Sequence, residues 1–192
     1  MGRIEPWKGQ DVALRMLAEL LARRLDVQLV LLGEQQSPTW PKFGSQVTAL
    51  TDRLGVADRV RFAGHVRDVP TILPALDVLV CASREEGFGL AAVEAMAAGV
   101  PVVSTRCGGP EDVIEHEQTG LLAACEDALG LADQVNRVLA DSGWAKALVD
   151  RARDSSRVRF TALRSAEAFA RVVRDLARRP KPGVDEIEST HR

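Results

Sequence analysis

Apolar residues recur along this chain in two rhythms. From Asp11 to about Leu25 they fall at helical spacing, with Leu14, Leu17, Leu20 and Leu21 on one side. Residues 27–32 form instead a short, mostly apolar run that stops at Gly33, the pattern of a buried strand. The alternation then repeats. A loop with Pro38 and Pro41 leads to a helix over 44–54, a strand over 60–63, a short helix over 69–76 and a strand over 77–82. Next come a helix over 90–98 closed by Gly99, a strand over 101–104, and a short helix over 110–116 with Pro in its first turn. A last strand over 120–123 precedes a helical remainder that ends in Ala162–Arg178. Short apolar strands alternating with helices predict an α/β fold, a doubly wound parallel sheet whose ligand lies at the carboxyl ends of the strands. Met1 stands where a first strand should be finishing, so that innermost strand is expected to be truncated to a stub. Residues 1–179 are expected to form one domain, and 180–192, with Pro, Gly and scattered charge, a disordered tail.

Composition changes this picture little. With 192 residues, 46% apolar and 27% charged, the chain is long enough to bury a core and ordinary for a soluble protein. A net charge of −2 gives no general attraction to nucleic acid. It does hide an asymmetry: residues 151–181 hold ten Arg or Lys against three Asp or Glu, an excess of +7 that leaves −9 elsewhere. Three cysteines without Cys-x-x-Cys spacing argue against a disulfide framework or a zinc site. Cys81 and Cys107, in or just after apolar strand runs, are expected to be small core residues. The chain opens on no signal-peptide pattern and has no apolar run of bilayer length, so the expected location is cytoplasmic.

The candidate chemistry centres on Leu-Ala-Ala-Val-Glu-Ala-Met-Ala-Ala, residues 90–98, a helix apolar at every angle except for Glu94. Such a helix is expected to be buried, and a buried carboxylate needs partners. Glu86 falls at the end of the preceding strand, just outside the helix N-terminus. The N–H groups of Gly87, Phe88, Gly89 and Leu90 are the free donors there, and with two glycines admitting close approach they suit a phosphate. A carboxylate accepts two hydroxyl hydrogen bonds at once, the geometry of a vicinal diol. Two carboxylates flanking a phosphate cradle therefore suit a ligand with hydroxyls on both sides of its phosphates, such as a nucleotide sugar. Two readings compete with this one. Glu94 could pair with a core Arg or a backbone N–H, leaving Glu86 a solvated loop charge. Alternatively, Gly87-Phe88-Gly89-Leu90-Ala91-Ala92 fits the G-x-G-x-x-A fingerprint of an NAD(P)-dependent enzyme, with Arg106 placed to meet a 2′-phosphate. Against it, Arg84-Glu85-Glu86 intervenes after the strand, and the unit falls late in the sheet.

Glu86 and Glu94 stand with seven residues between them in Ser-x-x-Glu-Gly-Phe-Gly-Leu…Glu-Ala-Met-Ala-x-Gly-x-Pro-Val-Val. This resembles the E-x7-E signature of retaining glycosyltransferases of the GT-B fold, family 4 (group 1) especially. Gly2-Arg3-Ile4…Lys8-Gly9 resembles the Gly-Arg…Lys-Gly turn of that family. Residues 29–33, Val60–Gly64 with His65, Ala75-Leu76-Asp77, Cys107-Gly108-Gly109-Pro110-Glu111 and Thr119-Gly120-Leu121-Leu122 follow in the family's order. The resemblance spans roughly residues 2–175.

It implies the C-terminal, Rossmann-like half of such an enzyme, the half that binds the nucleotide-sugar donor. By it, Glu86 is the catalytic residue and holds hydroxyls of the transferred sugar, while Glu94 holds the ribose diol. Arg3 and Lys8 neutralise the diphosphate, Gly87, Phe88, Gly89 and Leu90 cradle it, and His65 and Val66 lie beside the base. A cation at each side of a leaving diphosphate stabilises the charge developing on it. Trp7 reads as loop packing. No Asp-x-Asp pair and no metal-ligand spacing occur, which fits the metal-independent transfer the family implies, with no cofactor beyond the donor. An acceptor half is not represented, which implies a missing acceptor domain or a separate acceptor subunit, and no nucleic-acid partner. A half-site of this kind binds donor but transfers sugar poorly. The alternative outcome is a non-catalytic or truncated sugar-nucleotide-binding remnant. In the last helix Leu163, Ala166, Phe169, Ala170, Val173 and Leu176 share one face, and Arg164, Arg171, Arg174 and Arg178 lie largely on another. The arginine face reads as solvated, with peripheral contact to an anionic membrane as the lesser alternative.

Overall fold

The structure, a computed structural model, describes residues 1–34 and 39–178. The predicted tail over 180–192 lies outside the described residues, as does Pro38. Two compact units divide the chain, Met1–Arg157 and a second beginning at Val158.

In the first unit a 3₁₀ turn, Pro6–Lys8, runs directly into helix α1 (Gln10–Ala22). Strand β1 (Leu29–Leu32), helix α2 (Phe43–Arg53), strand β2 (Val60–Gly64) and helix α3 (Val69–Ile72) follow. Then come β3 (Leu79–Cys81), α4 (Leu90–Ala98), β4 (Val102–Thr105), α5 (Gly109–Val113) and β5 (Leu121–Ala123). Helices α6 (Ala128–Ala140) and α7 (Ser142–Arg159) follow, the first unit ending at Arg157 within α7. The predicted α/β order holds, and among the described residues the β1–β2, β3–β4 and β4–β5 ladders are parallel. The strands form two sheets, β1-β2 and β3-β4-β5, with no ladder recorded between β1 and β3. Residues 2–4 run beside the end of β1, where the Gly2 N–H donates to the Leu32 carbonyl at 2.8 Å and the Ile4 N–H to the Glu34 carbonyl at 3.1 Å.

The core forms where β4 and β5 meet α1 and α6. Val103 and Leu121, register partners, are fully buried against Val12 and Met16 of α1 and Leu131 and Val135 of α6. Side chains alternate across a strand, so Val102 points to the opposite face. It too is fully buried, and α4 packs on β3 and β4 through Ala92, Ala95 and Met96. A smaller cluster joins Ile4 and Leu14 to Val47 and Leu50 of α2. Burying each such Leu is worth about 1.5–3 kcal/mol. Strand β1 starts at Leu29 rather than at residue 27; Val27 and Leu29 both pack against the α1–α6 cluster, but only Leu29 joins the ladder.

Cys81 and Cys107 are half-buried, not core residues as expected, and Cys125 is exposed; all are free thiols. Burial pushes the Cys81 and Cys107 thiols above the ordinary range. Only the thiolate is nucleophilic, so iodoacetamide near neutral pH should label Cys125 first, about tenfold or more ahead of Cys81, as read by peptide mass spectrometry. Equal rates would contradict the burial of Cys81.

The second unit contains α8 (Ala162–Arg178), with the bounds its periodicity predicts. It buries none of its side chains; Leu163, Phe169, Val172, Val173 and Leu176 are all exposed. The Arg159 guanidinium lies over the Phe160 ring at 4.9 Å. Among the described residues no helix is long and apolar enough to cross a membrane.

Candidate functional site

The carboxyl ends of β3 and β4 hold the loop that carries Glu86. Thr105 Oγ1 donates to the Ser83 carbonyl at 2.5 Å. The Glu86 N–H donates to the Cys107 carbonyl at 3.0 Å, and its own carbonyl accepts the Gly109 N–H at 2.8 Å. The Glu86 backbone is thus pinned as a continuation of the β3–β4 pairing. Its side chain reaches the turn before α1, where Lys8 Nζ lies 2.6 Å from Glu86 Oε2, both side chains about a quarter exposed. Two residues 78 positions apart, each singled out in the sequence, therefore meet in one ion pair. With Trp7, Glu85 and Gly87 they line a shallow depression. Trp7 packs edge-on against Trp40, centroids 6.0 Å apart, the loop-packing role expected of it.

Sequence reasoning missed the residue that fixes this pair. Arg84 donates to Asp11 through Nη1 and Nη2 at 2.9 and 2.8 Å, a two-pronged bridge from the β3 loop to the first turn of α1. Its Nε and Nη2 donate to Glu126, Nη1 to the Pro6 carbonyl, and its backbone N–H to the Trp7 carbonyl. The turn bearing Lys8 is thereby fastened to the loop bearing Glu86. Hydrogen bonding to Asp11, against the opposing effect of burial, drives the Arg84 pKa further up, so it stays charged throughout. Burial would raise the Asp11 carboxyl, but hydrogen bonds and charge from Arg84 and Arg15 outweigh it and hold the group below its ordinary value. No local pattern announces such a clamp, since its acids lie 73 and 42 positions from Arg84.

Helix α4 corrects one expectation. It spans Leu90–Ala98 as the sequence predicts, but it is not buried all round. Leu90 is 64% exposed, Phe88 44%, and Glu94 and Ala97 are also exposed. An alanine-rich helix is apolar on every face yet seats itself through one, here Ala92, Ala95 and Met96. Glu94 thus needs no internal partner, and among the described residues it has neither hydrogen bond nor ion pair. Ala92 already donates to the Gly89 carbonyl, so the helix-end N–H groups without intrahelical partners include those of Leu90 and Ala91, shifting the expected cradle along the helix.

Arg3 is exposed, its Nε 3.4 Å from Oε1 of the buried Glu5. His65 and Val66 follow β2, whose last carbonyl, of Gly64, accepts the Gly33 N–H at 2.8 Å. Among the described residues no hydrogen bond or ion pair joins them to the Lys8–Glu86 pair. Arg106 lies 3.7 Å from Glu111. No group of three or more metal-ligating side chains occurs among the described residues.

The family model of the glycosyl transferases group 1 matches residues 1–141. The chain belongs to that family. It is 33% identical over 163 residues to the N-acetyl-alpha-D-glucosaminyl L-malate synthase of Bacillus anthracis, covering 85% of this chain and 41% of that protein. Anabaena Alr3699/HepE, solved in complex with UDP and with UDP-glucose, superposes with a TM-score of 0.84 at 28% identity, over 91% of this chain and 48% of that one. The C-terminal domain of a group 1 family protein (LpcC) from Francisella tularensis superposes with a TM-score of 0.76 at 27% identity, over 84% of both chains. The chain spans about half the length of the curated relatives it matches. The fold is the Rossmann-like C-terminal half of a GT-B glycosyltransferase.

Proposed function

We propose that this group 1 chain binds a nucleoside-diphosphate sugar as the donor half of a retaining, metal-independent, family 4 glycosyltransferase of the cytoplasm, working with an acceptor half on other residues. One observation carries the reading: the Lys8–Glu86 contact lies beside the N-terminal end of α4, whose Glu94 is exposed and unpartnered. Lys8 and the N–H groups of Leu90 and Ala91 then face the diphosphate and stabilise charge developing on it as the sugar leaves. Glu94, one turn into α4, accepts the ribose hydroxyls, and Glu86 those of the sugar. The UDP and UDP-glucose held by the Anabaena protein make uridine the first base to try.

Calorimetric titration of the chain with UDP, GDP, ADP, their sugar conjugates and NAD(H) tests the reading. One nucleoside diphosphate class should bind at micromolar to millimolar concentration. Glu94→Ala should weaken it by about 1–3 kcal/mol through lost hydrogen bonds, at unchanged thermal stability because Glu94 has no internal partner. A preference for NAD(H), or a mutant that binds as well as the parent, would sink it.

A further inference from the structure

The chains of β4 and β5 stay side by side past their last register partners, Thr105 and Ala123, since the Arg106 N–H still donates to the Ala123 carbonyl at 2.9 Å. Counting on two positions in each chain reaches Cys107 and Cys125. Residues two apart share a face of a strand, so both cysteines continue the face of Thr105 and Ala123. The hydrogen bonds agree. Thr105 Oγ1 donates to the Ser83 carbonyl at 2.5 Å, and the same carbonyl accepts Cys125 Sγ at 3.8 Å. The Thr105 hydroxyl also lies within hydrogen-bonding reach of the Cys107 thiol. Both sulfurs thus gather around one hydroxyl and one carbonyl. Opposed residues of neighbouring strands stand about 5 Å apart at Cα, inside the range of roughly 4.4–6.8 Å that a disulfide spans. Every residue of β4 and β5 is buried, whereas Cys107 is half-buried and Cys125 exposed, so a small molecule reaches this pair. Cys81 stands apart, since its register partner is Ser104, three residues short of Cys107.

The pair is tied to the candidate site through backbone. The Cys107 carbonyl accepts the Glu86 N–H at 3.0 Å. Cys125 Sγ donates to the Arg84 carbonyl at 3.6 Å, and Glu126, the next residue, accepts from the Arg84 guanidinium.

We propose that Cys107 and Cys125 are a dithiol switch, oxidised by a small-molecule disulfide to a cross-link between the ends of β4 and β5 that loosens the Glu86 loop and weakens donor binding. The effect on the donor rests on the function proposed for that site. The more exposed Cys125 reacts first: its thiolate attacks the small disulfide and expels one thiolate, leaving a mixed disulfide. Cys107, as thiolate, attacks the Cys125 sulfur and expels the second. Two electrons and two thiol protons leave the protein and end on two small-molecule thiols. Turning toward Cys107, the Cys125 sulfur gives up the Ser83 and Arg84 carbonyls, and Cys107 turns with the carbonyl that holds Glu86. A bond at an exposed sheet end is open to reduction, which makes the change reversible.

The test equilibrates the chain with glutathione disulfide, or with dithiothreitol as the reducing arm, and maps the sulfurs by peptide mass spectrometry. The parent should form the Cys107–Cys125 bond with Cys81 free, and dithiothreitol should reverse it. Cys107→Ser should stop at the mixed disulfide on Cys125. A bond to Cys81, a bond between two chains, or a parent that stops at the mixed disulfide overturns the pairing. Amide exchange at Glu86 should quicken about tenfold in the cross-linked parent, while the oxidant leaves it unchanged in Cys125→Ser. UDP should bind the cross-linked chain about tenfold more weakly than the reduced one. Unchanged exchange at Glu86, or equal UDP affinity in the two forms, overturns the switch. A reduced chain that binds no nucleoside diphosphate sinks the donor reading instead, and the Glu86 amide alone then decides whether the cross-link moves the loop.

Discussion

Gly9→Ala is expected to destabilise the folded chain by about 3 kcal/mol or more, whereas Gly55→Ala costs only about 1 kcal/mol. The two positions share one backbone conformation, with φ +63° at Gly9 and φ +66° at Gly55, so the left-handed strain on an added Cβ is the same. They differ in what that Cβ meets. At Gly55 nothing lies within 4 Å, while at Gly9 the Cβ would stand 1.8 Å from the Ala82 carbonyl oxygen. That oxygen belongs to backbone, held in place by its neighbour Ser83, whose carbonyl accepts from Thr105. The first turn of α1 must therefore retreat from the end of β3, and Lys8, one residue before Gly9, retreats with it. At about 2–4 °C per kcal/mol for a chain of this size, the melting temperature of the Gly9 variant should fall by roughly 6–12 °C. Nucleotide affinity should drop in the part that stays folded. Equal losses at Gly9 and Gly55 in thermal unfolding would mean that the close approach to Ala82 relaxes freely.

How much of this was legible in the sequence depends on how far apart the interacting residues lie. Strands and helices declared themselves because their signal is local: an unbroken apolar run over 78–82 for β3, and a Leu every three or four positions for α1. Burial was less legible. The run 90–98 reads as a helix enclosed on all sides, but alanine carries little area, and three contacts suffice to seat it while Leu90 and Glu94 face water. The Lys8–Glu86 pair was not foreseen: family motifs singled out Lys8, and its place beside the helix end Glu86, but charge at position 8 says nothing by itself about position 86. The Arg84 clamp was invisible. A single Arg in a charged loop reads as solvated, and its partners Asp11 and Glu126 become neighbours only once β3, α1 and the end of β5 converge.

That clamp yields the second large effect. Arg84→Ala should cost about 2 kcal/mol, less than a fully buried pair because the Arg84 side chain is 29% exposed, with Asp11 at 16% bearing most of the loss. Glu126, 53% exposed, adds little. The dependence on pH distinguishes lost charge pairing from lost packing. The Asp11 carboxyl is held below its ordinary value, so its contribution is complete above the usual carboxylate range. It is lost as pH falls through the lowered value of the folded state. Arg84 remains charged over the same range, so it adds no titration of its own. The stability gap between parent and Arg84→Ala, measured by denaturant titration, should therefore stay constant from pH 7 to about pH 5 and narrow below about pH 4. Arg84→Lys keeps the charge but not the fork, and should recover less than half of the gap. It should also leave nucleotide binding weaker than its stability alone accounts for, because a lysine cannot grip Asp11 at two points while also holding the Pro6 carbonyl that aims Lys8 at Glu86. A gap that stays flat down to pH 3 would mean that Arg84 fastens the Lys8 turn by packing, with the carboxylates as bystanders.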